Sequence, residues 1–179
     1  MFKRFVLLFM SLIMALSFSG CDSSSFQKDF SAKDALKIED IDWNIVESTL
    51  DGQSIVSFNY KNKTKYTILD VEMKFVQKEG TTKIDRSVFD DLKKSDYWTD
   101  EKISEIYIMG YNRKCAKPGE SVGDSPCNIN GTYTLVSDID QFDVMEPDSV
   151  EIAFIGKDGL CYTAVSYTHL RAHETEADL

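Results

Sequence analysis

Apolar and polar residues alternate with a period of two along much of this chain, and this constrains the fold most. The pattern is clearest where Leu69, Val71, Met73 and Phe75 alternate with charged residues. Since successive side chains of a β-strand point to opposite faces, each such segment is predicted to be a strand with one buried face. Similar alternation occurs near residues 41–45, 56–60, 107–111 and 150–154.

Turn residues separate these segments. Asp51-Gly52 and Asn62-Lys63 divide the first three strands, which we predict to form an antiparallel meander. Asn130-Gly131 predicts a hairpin joining Cys127–Ile129 to Tyr133–Val136. The list of predicted turns is completed by Lys117 to Glu120 and by Asp158-Gly159.

The period lengthens to that of a helix between Ser87 and Ile106. We predict one short helix with Ser87 as N-cap and a second one that begins after Thr99. Seven or so short strands with a helical insertion at about 87–106 predict a mainly β protein, an antiparallel β-sandwich over residues 35–164, with an α+β fold as the alternative.

The N-terminus has the order of a secretory signal. Lys3 and Arg4 precede an uncharged apolar run from Phe5 to Phe18, which is shorter than the roughly 20 residues of a membrane-spanning helix. Ser19-Gly20-Cys21 resembles the lipobox of bacterial lipoproteins, although Phe18 stands where that family usually has Leu.

This resemblance implies a signal peptide over residues 1–20 and acylation of Cys21, followed by a polar tether over residues 21–34. Two acyl chains anchor a protein stably, whereas one does not. The expected location is therefore the cell membrane, with the lipid on Cys21 as the anchor and the domain outside the cytoplasm.

The C-terminal residues have a different origin. The eleven residues from Val165 to Thr175 resemble one reading frame of a transposase-type sequencing adapter, and both histidines of the chain lie among them. We expect residues 165–179 to be a non-native tail and exclude them from the fold.

The domain itself resembles the immunoglobulin-like domains of uncharacterised surface lipoproteins of Gram-positive bacteria. Three segments carry the resemblance: Val56–Asn62, the Pro118-Gly119-Glu120 turn, and the hairpin from Val150 to Tyr162. It extends over most of the region from Ile38 to Ala164 and implies a sandwich that displays loops to a partner.

Composition and motifs restrict the chemistry. The chain has a formal net charge of −10, which disfavours nucleic acid as a partner. No histidine precedes residue 165 and no phosphate-binding loop occurs, so we predict no catalytic residues, no metal site and no cofactor. The acidic residues Asp138, Asp140 and Asp143 are interpreted as a solvated loop rather than a Ca²⁺ site.

Two further predictions concern individual side chains. Tyr97 and Trp98 are a candidate contact for an extracytoplasmic protein or glycan partner, with packing in the core as the favoured alternative. Cys115 and Cys127 are a candidate disulfide, and three reduced cysteines are the alternative. The expected function is a non-catalytic binding or envelope-associated module; the alternative is an enzyme completed by residues beyond this sequence.

Overall fold

A computed structural model describes residues 36–168, which form two packed antiparallel sheets. One sheet has the order β1-β2-β5 and contains β1 (Ile41–Leu50), β2 (Gln53–Asn62) and β5 (Ser121–Pro126). The other has the order β6-β4-β3-β7-β8 and contains β6 (Asn128–Ile129), β4 (Tyr107–Asn112), β3 (Thr67–Gln77), β7 (Met145–Ile155) and β8 (Cys161–Tyr167). The predicted β-sandwich is confirmed.

The connectivity of the two sheets is immunoglobulin-like. In that fold strands A, B and E lie in one sheet, and strands C, F and G lie in the other, where a C′ strand can be added next to C. Here β1-β2-β5 follows A-B-E, and β4-β3-β7-β8 follows C′-C-F-G. The short β6 extends the second sheet beside β4.

The predicted three-stranded meander is wrong, because the chain leaves the first sheet after β2 and β3 pairs with β4 and β7. Asn62 makes this crossing possible. It is fully buried, and its side-chain amide donates 2.8 Å hydrogen bonds to the carbonyls of Tyr66 and Ala116. Its Oδ1 accepts from the backbone N–H of Thr64 at 2.8 Å.

The predicted hairpin turns are confirmed. Asp51 and Gly52 join β1 to β2 with φ of 50° and 80°, and positive φ at both positions is what a type I′ turn requires. Asn130 and Gly131 have φ of 53° and 62°, and the chain returns so that the backbone N–H of Ile129 donates to Thr134.

Two strands bury different residues from those that simple alternation predicts. A bulge in β3 between Ile68 and Asp70 leaves Leu69 half-buried and Ile68 fully buried, because an extra residue reverses the facing of the strand. In β4 the predicted strand is confirmed, but Ile108 and Gly110 are buried and Tyr107 is only half-buried.

The core lies between the sheets. Phe58 and Tyr60 of β2 are buried there with Val71 and Met73 of β3. Gly110 makes the approach of the two sheets possible, since a Cβ at this position would lie 2.9 Å from Cγ of Phe58. A larger residue here would therefore push the sheets apart.

The insertion between β3 and β4 contains a 3₁₀ segment (Asp85–Lys94) and one short helix, α1 (Asp100–Ser104). The predicted N-cap at Thr99 is confirmed, because its side chain accepts from the backbone N–H of Lys102. The predicted N-cap at Ser87 is wrong: the segment begins two residues earlier, where Thr82 and Asp85 exchange side-chain-to-backbone hydrogen bonds. Helices this short do not support the α+β alternative.

Strand β8 extends past the predicted domain boundary at Ala164. Val165 and Tyr167 pair with Glu151 and Ser149 of β7. Strand pairing uses backbone groups, which every sequence carries. It therefore neither supports nor contradicts the predicted adapter origin of these residues. Residues 169–179 of that tail lie outside the described region.

Candidate functional site

The structure buries one residue of the predicted contact pair, Trp98, and exposes the other, Tyr97. Trp98 is only 8% exposed, as the core-packing alternative expects, whereas Tyr97 is 59% exposed. The two rings make an edge-to-face contact with centroids 5.2 Å apart. The ammonium group of Lys102 lies 3.4 Å from the centroid of the Tyr97 ring, a cation–π contact that holds the exposed ring in place.

A network of ion pairs adjoins this aromatic pair. The Asp100 carboxylate lies 2.7 Å from Nζ of Lys83 and 2.9 Å from Nζ of Lys93, and Lys93 also contacts Asp90 at 2.5 Å. The hydrogen bonds from Lys83 and Lys93 lower the pKa of Asp100 to about 2. We call Tyr97, Lys102 and this network the insertion surface.

Buried side chains and hydrogen bonds attach the insertion to the sandwich. Phe89 and Ile103 are buried, with exposures of 0% and 2%. The side-chain amide of Gln77 donates to the carbonyl of Ile103 at 2.7 Å, and that of Gln141 donates to Val88 at 3.2 Å. The insertion surface is therefore attached to the sheet by polar and apolar contacts, not merely by its two chain ends.

A second candidate binding surface lies on the outer face of the three-stranded sheet. The sequence did not predict it. It is an open groove of about 440 Å³. The polar groups that line it come from all three strands: Asp42 and Asn44 from β1, Asn59 and Lys61 from β2, and Ser121 and Gly123 from β5. We call it the outer-face groove.

A β-bulge shapes the outer-face groove. The pairing of β2 with β5 shifts between Phe58 and Tyr60, and Asp124 adopts a φ of 58° there. Its backbone N–H donates to Oδ1 of Asn59 at 3.0 Å. A Cβ on Gly123 would lie 2.5 Å from the same Oδ1, so a larger residue here would displace the Asn59 side-chain amide.

The outer face of the five-stranded sheet has a charged cluster. The Arg113 guanidinium lies 3.8 Å from Oδ2 of Asp70 and 3.7 Å from Oε1 of Glu72. Oδ1 of Asp70 is buried and has no hydrogen-bond partner. Burial, followed by the nearby Glu72 carboxylate, raises the pKa of Asp70, while Arg113 opposes the shift. Asp70 and Glu72 thus share one cation on this face, an arrangement that either a structural cluster or an acid–base pair can have.

The predicted disulfide between Cys115 and Cys127 does not form in the structure. Cys127 is fully buried in the core, whereas Cys115 is exposed, and both thiols are free, as is Cys161. Burial raises the pKa of the Cys127 thiol to about 12, so this thiol stays protonated near neutral pH.

Some residues considered in the sequence analysis lie outside residues 36–168, and others have structural roles within them. The lipidation residue Cys21 and the tether precede the described region. Within that region no group of three or more His, Cys, Asp or Glu side chains is placed to hold a metal ion, and Asp138 instead caps the 3₁₀ segment Ile139–Phe142. None of its helices has the length and apolar character needed to cross a membrane.

Fold and surfaces together define a class, a β-sandwich of immunoglobulin-like connectivity with a helical insertion after its third strand. Comparison with known proteins adds no relative: no family profile, no curated protein and no solved structure matches the chain.

Proposed function

We propose that this protein is a membrane-anchored extracytoplasmic lipoprotein whose sandwich is a non-catalytic binding module, and that the insertion surface contacts a protein partner. The observation that supports the partner contact is the exposed Tyr97 ring, fixed by Lys102 and attached to a buried base. Aromatic rings that are rigid before binding lose little conformational freedom on contact, and Tyr is enriched in interfaces.

The anchor is proposed from the sequence alone. Acylation of Cys21 would connect the membrane to the sandwich through a segment that spans at most roughly 50 Å from Cys21 to Leu36. A tether of this length would let the sandwich stand away from the lipid surface, where a partner can reach the insertion surface.

The anchor is tested with Cys21→Ala. We expect the wild-type protein to partition into the detergent phase and the variant to lose this partitioning, since both acyl chains depend on the Cys21 thiol. Cys115→Ala removes an exposed thiol from the sandwich and is the matched control. A Cys21→Ala protein that stays in the membrane fraction would contradict the lipid anchor.

The partner contact is tested by site-specific photocrosslinking on intact cells. A photoreactive phenylalanine analogue replaces Tyr97 in one protein and Tyr133, which is fully exposed in the Asn130-Gly131 hairpin, in the control. We expect a discrete protein adduct from position 97 that Lys102→Ala weakens. Equal adducts from the two positions, or none from position 97, would contradict the proposal.

The alternative function is an enzyme that needs residues beyond this sequence. The raised pKa of Asp70 beside the Glu72 carboxylate is the described feature that favours it, since a carboxyl group with a raised pKa can act as a general acid. Arg113 bridges both carboxylates, however, which suits a structural cluster equally well. We therefore prefer the binding module.

A further inference from the structure

We propose that the outer-face groove is a second binding site, separate from the insertion surface, and that it takes a neutral, hydroxyl-rich ligand such as an uncharged oligosaccharide. Its volume of about 440 Å³ lies within the range of small-molecule sites, roughly 300–1,000 Å³. The groove is open to solvent on one side, so a chain-like ligand can extend beyond it.

The polar groups of the groove match hydroxyl groups. Asp42 offers only acceptors and Lys61 only donors, while Asn44 and Ser121 offer both. A sugar hydroxyl donates one hydrogen bond and accepts others, so neighbouring hydroxyls can use a surface on which donors and acceptors are interspersed. An apolar ligand would leave these groups unpaired.

The charge of the groove favours a neutral ligand. The carboxylate of Asp42 and the ammonium group of Lys61 face each other across β1 and β2, and their charges cancel. The chain as a whole carries a net charge of −10, which repels an anionic ligand over a longer distance. Nothing among the lining groups provides the excess of cations that an anion requires.

The groove is formed before any ligand binds. Oδ1 of Asn59 already accepts from the backbone N–H of Asp124, so this side chain is held in place and offers its amide N–H groups to a ligand. Gly123 leaves room for this side-chain amide. A preformed site binds with less loss of conformational entropy than one that must be ordered.

The test uses the full-length protein in detergent micelles and follows its side-chain amide signals by NMR. Cellotriose and chitotriose are the neutral probes and trigalacturonic acid is the anionic probe. For a shallow polar groove we expect a dissociation constant on the order of 1 mM. The amide signals of Asn44 and Asn59 should shift with at least one neutral probe and not with the anionic probe.

Substitutions test whether the neutral probes bind in the outer-face groove. Asn44→Ala, Asp42→Asn and Gly123→Ala should each weaken binding by roughly tenfold: the first removes a hydrogen-bonding side chain, the second replaces an acceptor oxygen by a donor, and the third displaces the Asn59 amide. Thr49→Ala, on the same strand outside the groove, should bind as the wild type does. Unchanged backbone spectra outside the groove establish that each variant is folded.

Three results would overturn the proposal: no shift with either neutral probe, stronger binding of the anionic probe, or binding that survives in both Asn44→Ala and Asp42→Asn. Loss of the Tyr97 adduct in the crosslinking experiment has no bearing on it. The two sites therefore fail or succeed separately.

Discussion

The insertion surface is built from residues close in sequence, whereas the outer-face groove is built from three strands far apart in sequence. Lys83, Tyr97 and Asp100 all lie in one connection between β3 and β4. The groove brings Asp42 of β1 together with Gly123 of β5. Local surfaces form once a short segment is ordered, while the groove exists only when the whole sheet has the correct register.

This difference predicts that the two surfaces respond differently to damage. A change in the core between the sheets should remove both surfaces, since both depend on the sandwich. A change inside the insertion should leave the groove intact. The following experiments separate these responses, in order of decreasing expected effect.

The largest effect is expected from Phe58→Ala. Phe58 is fully buried and packs against Gly110 of the other sheet, so the truncation leaves a cavity between the sheets. We expect the free energy of unfolding to fall by roughly 3–5 kcal/mol. Urea denaturation followed by tryptophan fluorescence measures it. A loss below about 1 kcal/mol would show that the sheets rearrange to fill the cavity.

A smaller, local effect is expected from Phe89→Ala. Phe89 is also fully buried, but it belongs to the 3₁₀ segment of the insertion and not to a strand. Hydrogen exchange should become faster in the insertion, while the amides of β1, β2 and β5 keep their protection. An equal loss of protection in the three-stranded sheet would contradict this local effect, because the insertion would then be part of the global folding unit.

Thr99→Ala should cost about 1 kcal/mol of helix stability, because α1 loses the side-chain acceptor at its N-cap. The effect should be confined to the insertion, where the amide of Lys102 loses its partner. Thr99→Ser keeps the hydroxyl and serves as the control. Hydrogen exchange at Lys102 measures the change, and equal rates in the Ala and Ser variants would contradict the capping role.

The smallest effect is expected when the pH is lowered. Asp100 has its pKa lowered from 3.8 to about 2, chiefly by hydrogen bonds from Lys83 and Lys93. For a lowered carboxylate pKa the stabilisation is present above 3.8 and is lost as the pH falls towards 2. The insertion should therefore loosen over this interval, as observed in the chemical shifts of Tyr97 and its neighbours.

Asp100→Asn should remove this pH dependence and leave the groove signals unchanged. Asp91→Asn is the control, since Asp91 pairs only with the exposed Lys94. The ion pairs are exposed, so salt should weaken the effect as well. A transition that survives in Asp100→Asn would assign the titration to another carboxylate.

The sequence predicted the fold class and most of the local structure. Strand alternation identified β1, β2, β3 and β7, and residues suited to positive φ located the type I′ hairpin at Asp51-Gly52. Thr99 was identified as an N-cap because its signal lies within a single turn of helix. These features depend on neighbours in the chain, which a sequence displays directly.

Tertiary structure decided the rest. Asn62 sends β3 into the second sheet through hydrogen bonds to Tyr66 and Ala116, and the latter lies 54 residues away in the chain. Packing also placed Trp98 and Cys127 in the core while Tyr97 and Cys115 remained exposed. Two residues of similar chemistry carry no sequence signal that separates the buried one from the exposed one.

The outer-face groove is the clearest example of a feature that the sequence does not reveal. Its residues look like ordinary polar positions of three separate strands, and neither Asn59 nor Gly123 stands out in the sequence. They become a site because the pairing register and the bulge in β5 bring them together. The sequence by itself determined which segments are strands; the pairing between distant strands determined what surface they form, because register depends on packing across the whole sandwich.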